Sequence, residues 1–511
     1  MKFKTIFLSV LFINILISSF AQFGFEDSTL SKIKNIGYQQ SKVKKLTYEL
    51  ADVYGQRLTG SREYLSAAKW ALTKMKEAGL TNVHFENYCK DCRGWNVKNF
   101  NVELQSPSYM HIVAYPLAWT KGTKGIVEGD VVNIESFADM NLIKQQYAGQ
   151  LKGKIILLGK EPKPRSLADT VFQRFTKAQL EDMQELLVPR NKVIPMPKQI
   201  ELYQGEYFED NAFLQFVENE GALAVFKTSS SVAGIVNVGG TYYYKESDPK
   251  PLPYLVMMPE HAGRIMRLLK QNITPRIKLN LETIFYTEPD NNVNIIGEIK
   301  GSDPKLKSEV VLIGGHFDSW HTGTGATDNG GNCMVLLEAL RILKESNIAP
   351  KRTIRLAFWG GEEQDYNGSV SYATNNYGDF NSKPNSESKK VTAYLNLDNG
   401  LGVIRGIYLQ ANDFARPVFQ EIFRQFSSTQ QYYTTIENTV STDHETFDYY
   451  NIPSFQFIQD PLEYDLITHH KPLDLPEYAP EPDMMKNAVL LAWTIYSLAS
   501  NEQMVPRKIK N

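Results

Sequence analysis

The stretch EVVLIGGHFDSWHTGTGATDNGGNCMVLLEALRIL, residues 309–343, runs from a buried-strand pattern through a polar turn into an amphipathic helix. Val310 to Ile313 form a continuous apolar run, the pattern of a strand covered on both faces of a parallel sheet. Gly314 and Gly315 let the chain turn, and His316 and Asp318, two residues apart, leave on the same side. From about Asp328 to Leu343 the spacing predicts a helix with Cys333, Leu336, Leu337 and Leu340 on one face. Sheets of this kind bind ligands beyond the carboxyl ends of their strands.

Working outward, further strands are expected at Val293–Ile299, Thr353–Trp359 and residues 391–397. Residues 283–511 therefore read as an α/β unit with a mostly parallel, mixed sheet covered by helices. Upstream, apolar residues between 48 and 80 (Leu65, Ala68, Trp70, Ala71, Met75) recur at helical spacing and stop at Ala78-Gly79. Short strands are expected near 101–104 and 111–114. Residues 122–282 alternate short strands (125–134, 153–158, 222–226, 253–257) with helices (211–221, 260–269) and carry none of the polar clusters described below. The expected division is a leader at 1–21 followed by three blocks, 22–121, 122–282 and 283–511.

Composition narrows the function classes. The 511 residues are 42% hydrophobic and 12% aromatic, ample for a large core. Lys and Arg total 55 against 57 Asp and Glu, so no positive field exists to neutralise a nucleic acid. Three Cys and eight His exclude a disulfide scaffold and a Cys-rich zinc array, and leave His and carboxylates to hold any metal. Cys89 and Cys92 read as a small loop disulfide. Lys2 and Lys4 precede an apolar run over residues 6–20 that ends at Ser19-Phe20-Ala21, a secretory leader with the mature chain expected from about Gln22. The expected location is secreted or periplasmic, with no membrane partner after cleavage. Residues 488–499 are too short to span a bilayer and read as a buried terminal helix.

Four more polar clusters follow the first. Strand Thr353–Trp359 runs into Gly360-Gly361-Glu362-Glu363, where adjacent carboxylates must face water or a cation. Residues 391–397 end at Asp398-Asn399-Gly400, which could equally be a tight turn, and Asp328 could equally be a helix N-cap. Thr468-His469-His470-Lys471 places two of the eight His together, after Asp460 and Glu463. Jointly, three strand ends, a helix start and a late loop deliver oxygen and imidazole donors to one rim. That is enough for two divalent ions about 4 Å apart with Asp328 able to bridge, and such ligands suit zinc.

This series resembles the co-catalytic zinc exopeptidases, a family that includes secreted aminopeptidases and the plasma glutamate carboxypeptidases. The likeness to the latter rests on residues 315–320 followed by Gly323-x-Gly325-Ala326, and on Thr442-Asp443-His444 with Phe447. It covers nearly the whole mature chain, and residues 151–157 and 221–225 resemble the protease-associated domain inserted in that family. The resemblance implies a three-layer zinc-exopeptidase catalytic domain in two parts, 22–121 and 283–511, with a smaller inserted protease-associated α/β domain at 122–282, and two Zn2+ per chain. His316, Asp328 and Asp398 would hold one ion and Asp328, Glu363 and His470 the other. Glu362 matches the general base, and Asp318 the carboxylate that fixes the tautomer of His316. His469 stands where relatives often carry Tyr, and Lys471-Pro472 replaces the usual neighbours. Asp474 is kept, which assigns His470 rather than His469 as ligand. His321 stands where an acidic residue is common.

The function implied is a secreted di-zinc exopeptidase cleaving short peptides, of dipeptidase or carboxypeptidase type, with an aminopeptidase of the same fold as the alternative and a homodimer as a possible assembly. A non-catalytic binding protein on the same fold is disfavoured because no ligand position is lost. A single-zinc glutaminyl cyclase is disfavoured by the inserted block. Trp320, His321, Tyr366, Arg405 and His444 are candidates for meeting a substrate terminus, whereas His84, His111 and His261 read as structural or surface residues.

Overall fold

The computed structural model describes residues 27–163, 171–208, 210–231, 234–379 and 383–509. The expected leader lies outside them. Two eight-stranded sheets organise the chain. The larger has the order Thr81–Asn87, Val293–Ile299, Thr353–Trp359, Val310–His316, Val391–Asn396, Ser454–Gln459, Ile404–Tyr408, Tyr433–Thr435. Its central four strands are mutually parallel and antiparallel strands flank them, so the mixed, mostly parallel core sheet is as expected.

Alternation along the His316 strand builds three layers. Val311 and Ile313 point into a cluster with Leu336, Leu340, Val489 and Trp493 from helices Gly331–Glu345 and Glu481–Ser500. Leu312, between them, points the other way, into a cluster with Trp359, Tyr372, Tyr394 and Phe447. Residues 488–499 indeed lie in a buried terminal helix. Among the described residues no helix is long and apolar enough to cross a membrane. The helix expected before Gly79 begins only at Arg62, where the Ser61 side chain accepts the N–H of Tyr64.

The smaller sheet has the order Met110–His111, Gly94–Ser106, Arg276–Tyr286, Val127–Ile134, Ile155–Leu158, Ala224–Thr228, Tyr254–Met257, Ala114–Pro116. It carries its own apolar clusters, covered by helices that include Asn211–Asn219 and Pro259–Lys270. Three of its strands precede residue 122, so the expected boundary at 122 cuts this sheet. The reason is that Gly94–Ser106 pairs along its whole length with Arg276–Tyr286, far away in sequence. Close packing joins the two sheets at Gly94, where a Cβ would lie 2.0 Å from the Gly60 carbonyl oxygen. Cys89 and Cys92 are disulfide-bonded and pack with Trp95, Trp119, Tyr244 and Trp320 at that junction.

Residues 171–208 cross from the smaller sheet to the larger. Gln173 and Leu462 exchange backbone hydrogen bonds of 2.7 and 2.8 Å, Arg174 pairs with Asp460 and Asp483 at 3.0 and 2.8 Å, and Gln199 Nε2 donates to Glu445 Oε2 at 3.2 Å.

Candidate active site

Because the central strands are parallel, their carboxyl ends share one edge, and the polar clusters of the sequence meet there. His316 ends its strand 1% exposed. Its Nε2 lies 3.2 Å from Asp328 Oδ1 and 3.3 Å from Asp398 Oδ1. His470 Nε2 lies 2.9 Å from Glu363 Oε2 and 3.4 Å from Asp328 Oδ2. Asp328 thus turns one oxygen to each histidine. His469 Nε2 is farther from it, at 3.9 Å, and its ring stacks on Tyr464 with centroids 4.8 Å apart. Capping is not the role Asp328 plays: its φ and ψ are −130° and 89°, and the helix starts at Gly331 after Gly330 as N-cap.

Each of these side chains is held from behind. Asp474 accepts the backbone N–H groups of Thr327 and Asp328 at 2.6 and 3.2 Å. The Thr442 hydroxyl donates to Asp398 Oδ2 at 2.6 Å and accepts from Asn396 Nδ2 at 2.7 Å. The Trp320 indole N–H donates to Glu363 Oε2 at 2.7 Å, so Trp320 grips a site carboxylate instead of facing a substrate end. Asp318 lies against His316 through two groups. The His316 Nδ1 sits 3.1 Å from the Asp318 carbonyl oxygen and 3.7 Å from its carboxylate. That carboxylate accepts the N–H groups of Glu362 and Glu363 at 3.2 and 3.4 Å, pinning the next strand's turn. One residue therefore spaces His316 from the Glu-Glu pair.

A residue with no motif around it supports the whole loop. Arg57 is fully buried and donates to the carbonyl oxygens of Phe317, Thr324 and Gly325 at 2.7, 2.7 and 2.8 Å, and of Gly55 at 3.1 Å. Gly325 and Gly330 make room for it, since a Cβ there would lie 2.6 or 2.7 Å from its Nη2.

Other candidates fall elsewhere. Arg405 pairs with Asp460 at 3.0 Å, and His444 Nε2 lies 3.1 Å from the Thr439 carbonyl, with burial pushing its pKa down to about 4. His321 Nε2 meets the Pro116 carbonyl at 2.9 Å, tying the site loop to the smaller sheet. His261 accepts the Val113 N–H at 3.0 Å, and His84 pairs with Glu86 at 3.1 Å. Tyr366 does line the site. It belongs to a cleft of about 300 Å³ walled by the residues above together with Tyr242, Asp365, Val440, Ser441, Tyr464 and Asp465.

The electrostatics of the cleft call for cations. Burial pushes Glu362 and Glu363 well above the usual carboxylate range, and the neighbouring carboxylates add to it. Burial works against the charged forms of His316 and Asp328 as well. Asp398 and Glu362 nevertheless hold His316 well above its ordinary value, and His316, His469 and His470 hold Asp328 well below its own. Glu363 Oε1 is buried with no protein donor. A donor set of oxygens and imidazole nitrogens, rich in buried negative charge and with one oxygen left over, fits divalent metal.

Residues 294–494 match the family described as Peptidase family M28. That span supplies every candidate ligand and Glu362, and the match, with the relatives that follow, supports a zinc metallopeptidase. Over 472 residues the protein is 24% identical to carboxypeptidase Q of Mus musculus, covering 92% of this chain and 88% of the mouse protein. In fold it is similar to a peptidase M28 precursor from Shewanella amazonensis, with a TM-score of 0.66 at 20% identity over 94% of this chain and 98% of that one. It is also similar to a zinc aminopeptidase from Bacillus subtilis, with a TM-score of 0.54 at 18% identity over 90% and 95% of the two chains.

Proposed function

We propose that the protein is a secreted di-zinc exopeptidase hydrolysing short peptides, of dipeptidase or carboxypeptidase type, with Glu362 as general base. The observation that carries this is the sharing of Asp328: one oxygen 3.2 Å from His316 and the other 3.4 Å from His470. This supports His316, Asp328 and Asp398 as one ligand set and Asp328, Glu363 and His470 as the second. The likeness to carboxypeptidase Q over most of both chains supports the substrate class.

When bound, zinc supplies a Lewis acid for the scissile carbonyl and brings the pKa of a water close to neutrality. The chain's own residues do the rest. The His316 Nδ1–H donates to the Asp318 carbonyl, which leaves the Nε2 lone pair facing Asp328 and Asp398. Glu362 lines the cleft and carries the proton from the attacking water to the leaving nitrogen. Asp318 keeps Glu362 beside Glu363 through its two N–H contacts.

Zinc content and hydrolysis of a dipeptide panel test the reading. Two ions per chain are expected; a fully active protein with one ion would remove the pair, and a zinc-loaded protein inert on every dipeptide would remove the activity. Chelation is expected to abolish hydrolysis and lower the unfolding midpoint by a few degrees, both restored by zinc, because the ion binds only the folded site. Trp320→Phe keeps the ring and deletes the N–H on Glu363. A competition titration against a zinc-binding dye should give a zinc affinity about 10- to 100-fold weaker, and an unchanged affinity would show that this hydrogen bond does not orient a ligand.

A further inference from the structure

The two ligand sets are held by different parts of the chain. His316, Asp328 and Asp398 are fixed by groups of the larger sheet and its loops, namely the Asp318 carbonyl, the Asp474 carboxylate and the Thr442 hydroxyl. Glu363 and His470 are also fixed from the other side. The Val238 N–H donates to the His470 carbonyl oxygen at 2.9 Å. His470 has a φ of 57°, a left-handed conformation that a non-glycine residue holds only where its surroundings fix it. Val238 is fully buried in an apolar cluster of the smaller unit with Leu117, Ile156 and Tyr254, so its N–H is a fixed donor.

Trp320 makes the second connection. Its indole N–H donates to Glu363 Oε2 at 2.7 Å, and the same oxygen lies 2.9 Å from His470 Nε2. Trp320 is buried and stands edge-on to His470, Tyr242 and Trp119, with ring centroids 6.0, 5.9 and 6.2 Å apart. The backbone of Gly239 and Gly240 passes against this group. A Cβ on Gly240 would lie 2.5 Å from Trp119 Cζ3 and 3.1 Å from Trp320 Cζ3, so the indoles reach their places only because no side chain stands there. The same backbone is tied to the smaller sheet: the Ala118 N–H donates to the Gly239 carbonyl at 3.2 Å, and the Thr241 N–H donates to the Ala118 carbonyl at 3.1 Å.

We propose that residues 238–242 of the smaller unit position the second ligand set, Val238 through the His470 carbonyl and Gly240 and Tyr242 through the packing of Trp320, so that the second ion binds at full strength only while the two sheets are docked. The inference rests on the two-ion reading of the site. It gives the smaller unit a part in metal binding although it contributes no ligand, and it leaves the first ligand set to the larger sheet alone.

The test titrates the full-length protein with zinc against a zinc-binding dye, comparing Gly240→Ala with wild type and with His470→Gln, which marks the step belonging to the second ion. Gly240→Ala should weaken that step by about 10- to 100-fold and leave the other within about threefold. Trp119→Phe shortens the ring that the added methyl meets, and combined with Gly240→Ala it should bring the second step back to within about threefold of Trp119→Phe alone. Tyr242→Leu takes one ring away from Trp320 without adding bulk and should weaken the second step by about 3- to 10-fold, which keeps the inference open to test if Gly240→Ala does not fold. Thermal melts check the fold of each variant. In the metal-free protein the imidazole NMR signals of His470 should move in both variants and those of His316 should not. Equal weakening of both steps, an unchanged second step in the folded variants, no recovery with Trp119→Phe, or unmoved His470 signals would each overturn the assignment. Wild-type protein that takes up a single ion would instead refute the two-ion reading, and the shift of the metal-free His470 signals would leave the positioning role standing.

Discussion

Glu362→Gln should lower kcat on dipeptides by about 10²- to 10⁴-fold while leaving two zinc ions per chain and a KM close to wild type. The substitution keeps the shape of the side chain and the backbone N–H that donates to Asp318 at 3.2 Å. It spares Glu363, whose Oε2 is held by His470 and Trp320 at 2.9 and 2.7 Å. Only the capacity to accept a proton goes. Paired measurement of metal stoichiometry and steady-state kinetics separates this from ligand loss: retained zinc with wild-type kcat would eliminate Glu362 as the base, and lost zinc would make it a ligand.

Arg57→Ala is expected to have the largest effect on stability, a loss of about 3 to 5 kcal/mol read as a shift of the denaturant midpoint. Removing the guanidinium strips donors from the carbonyl oxygens of Gly55, Phe317, Thr324 and Gly325 at once, and Gly325 and Gly330 have no side chains to fill the space. Arg57→Lys should recover only part of the loss, since an ammonium on a flexible stem cannot reach four acceptors spread around a planar fork. The same loop carries His316 and Asp318, so zinc affinity should fall along with stability. An Arg57→Ala protein that unfolds at the wild-type midpoint would show that water replaces the guanidinium at no cost.

What could be read in the sequence was local. The apolar run before His316 and the helix after Asp328 are short-range patterns, and three of the polar clusters sit at the end of such a run. Its direction followed once the strands were taken as parallel. The limits were equally physical. The pairing of Gly94–Ser106 with Arg276–Tyr286, which crosses the expected boundary at 122, is a long-range contact with no local signal. Sequence alone could not place Trp320, whose N–H points at Glu363. Asp318 was found by its distance from His316 in sequence, and its carboxylate, beside His316, also pins the neighbouring turn, a second contact with no sequence signal. Arg57 had no motif at all. Its one trace was the glycines at 325 and 330, which look like turn formers in the sequence and in the fold are also the vacancy an arginine fills.

Every candidate ligand and Glu362 come from the larger sheet, whereas Tyr242 on the cleft wall, and Tyr244 and Gln204 behind Asp365, belong to the segment built around the smaller one. The candidate ligands and one side of the cleft wall thus come from different stretches of chain. Substitutions between residues 171 and 208 can therefore reshape one side of the cleft without displacing a candidate ligand.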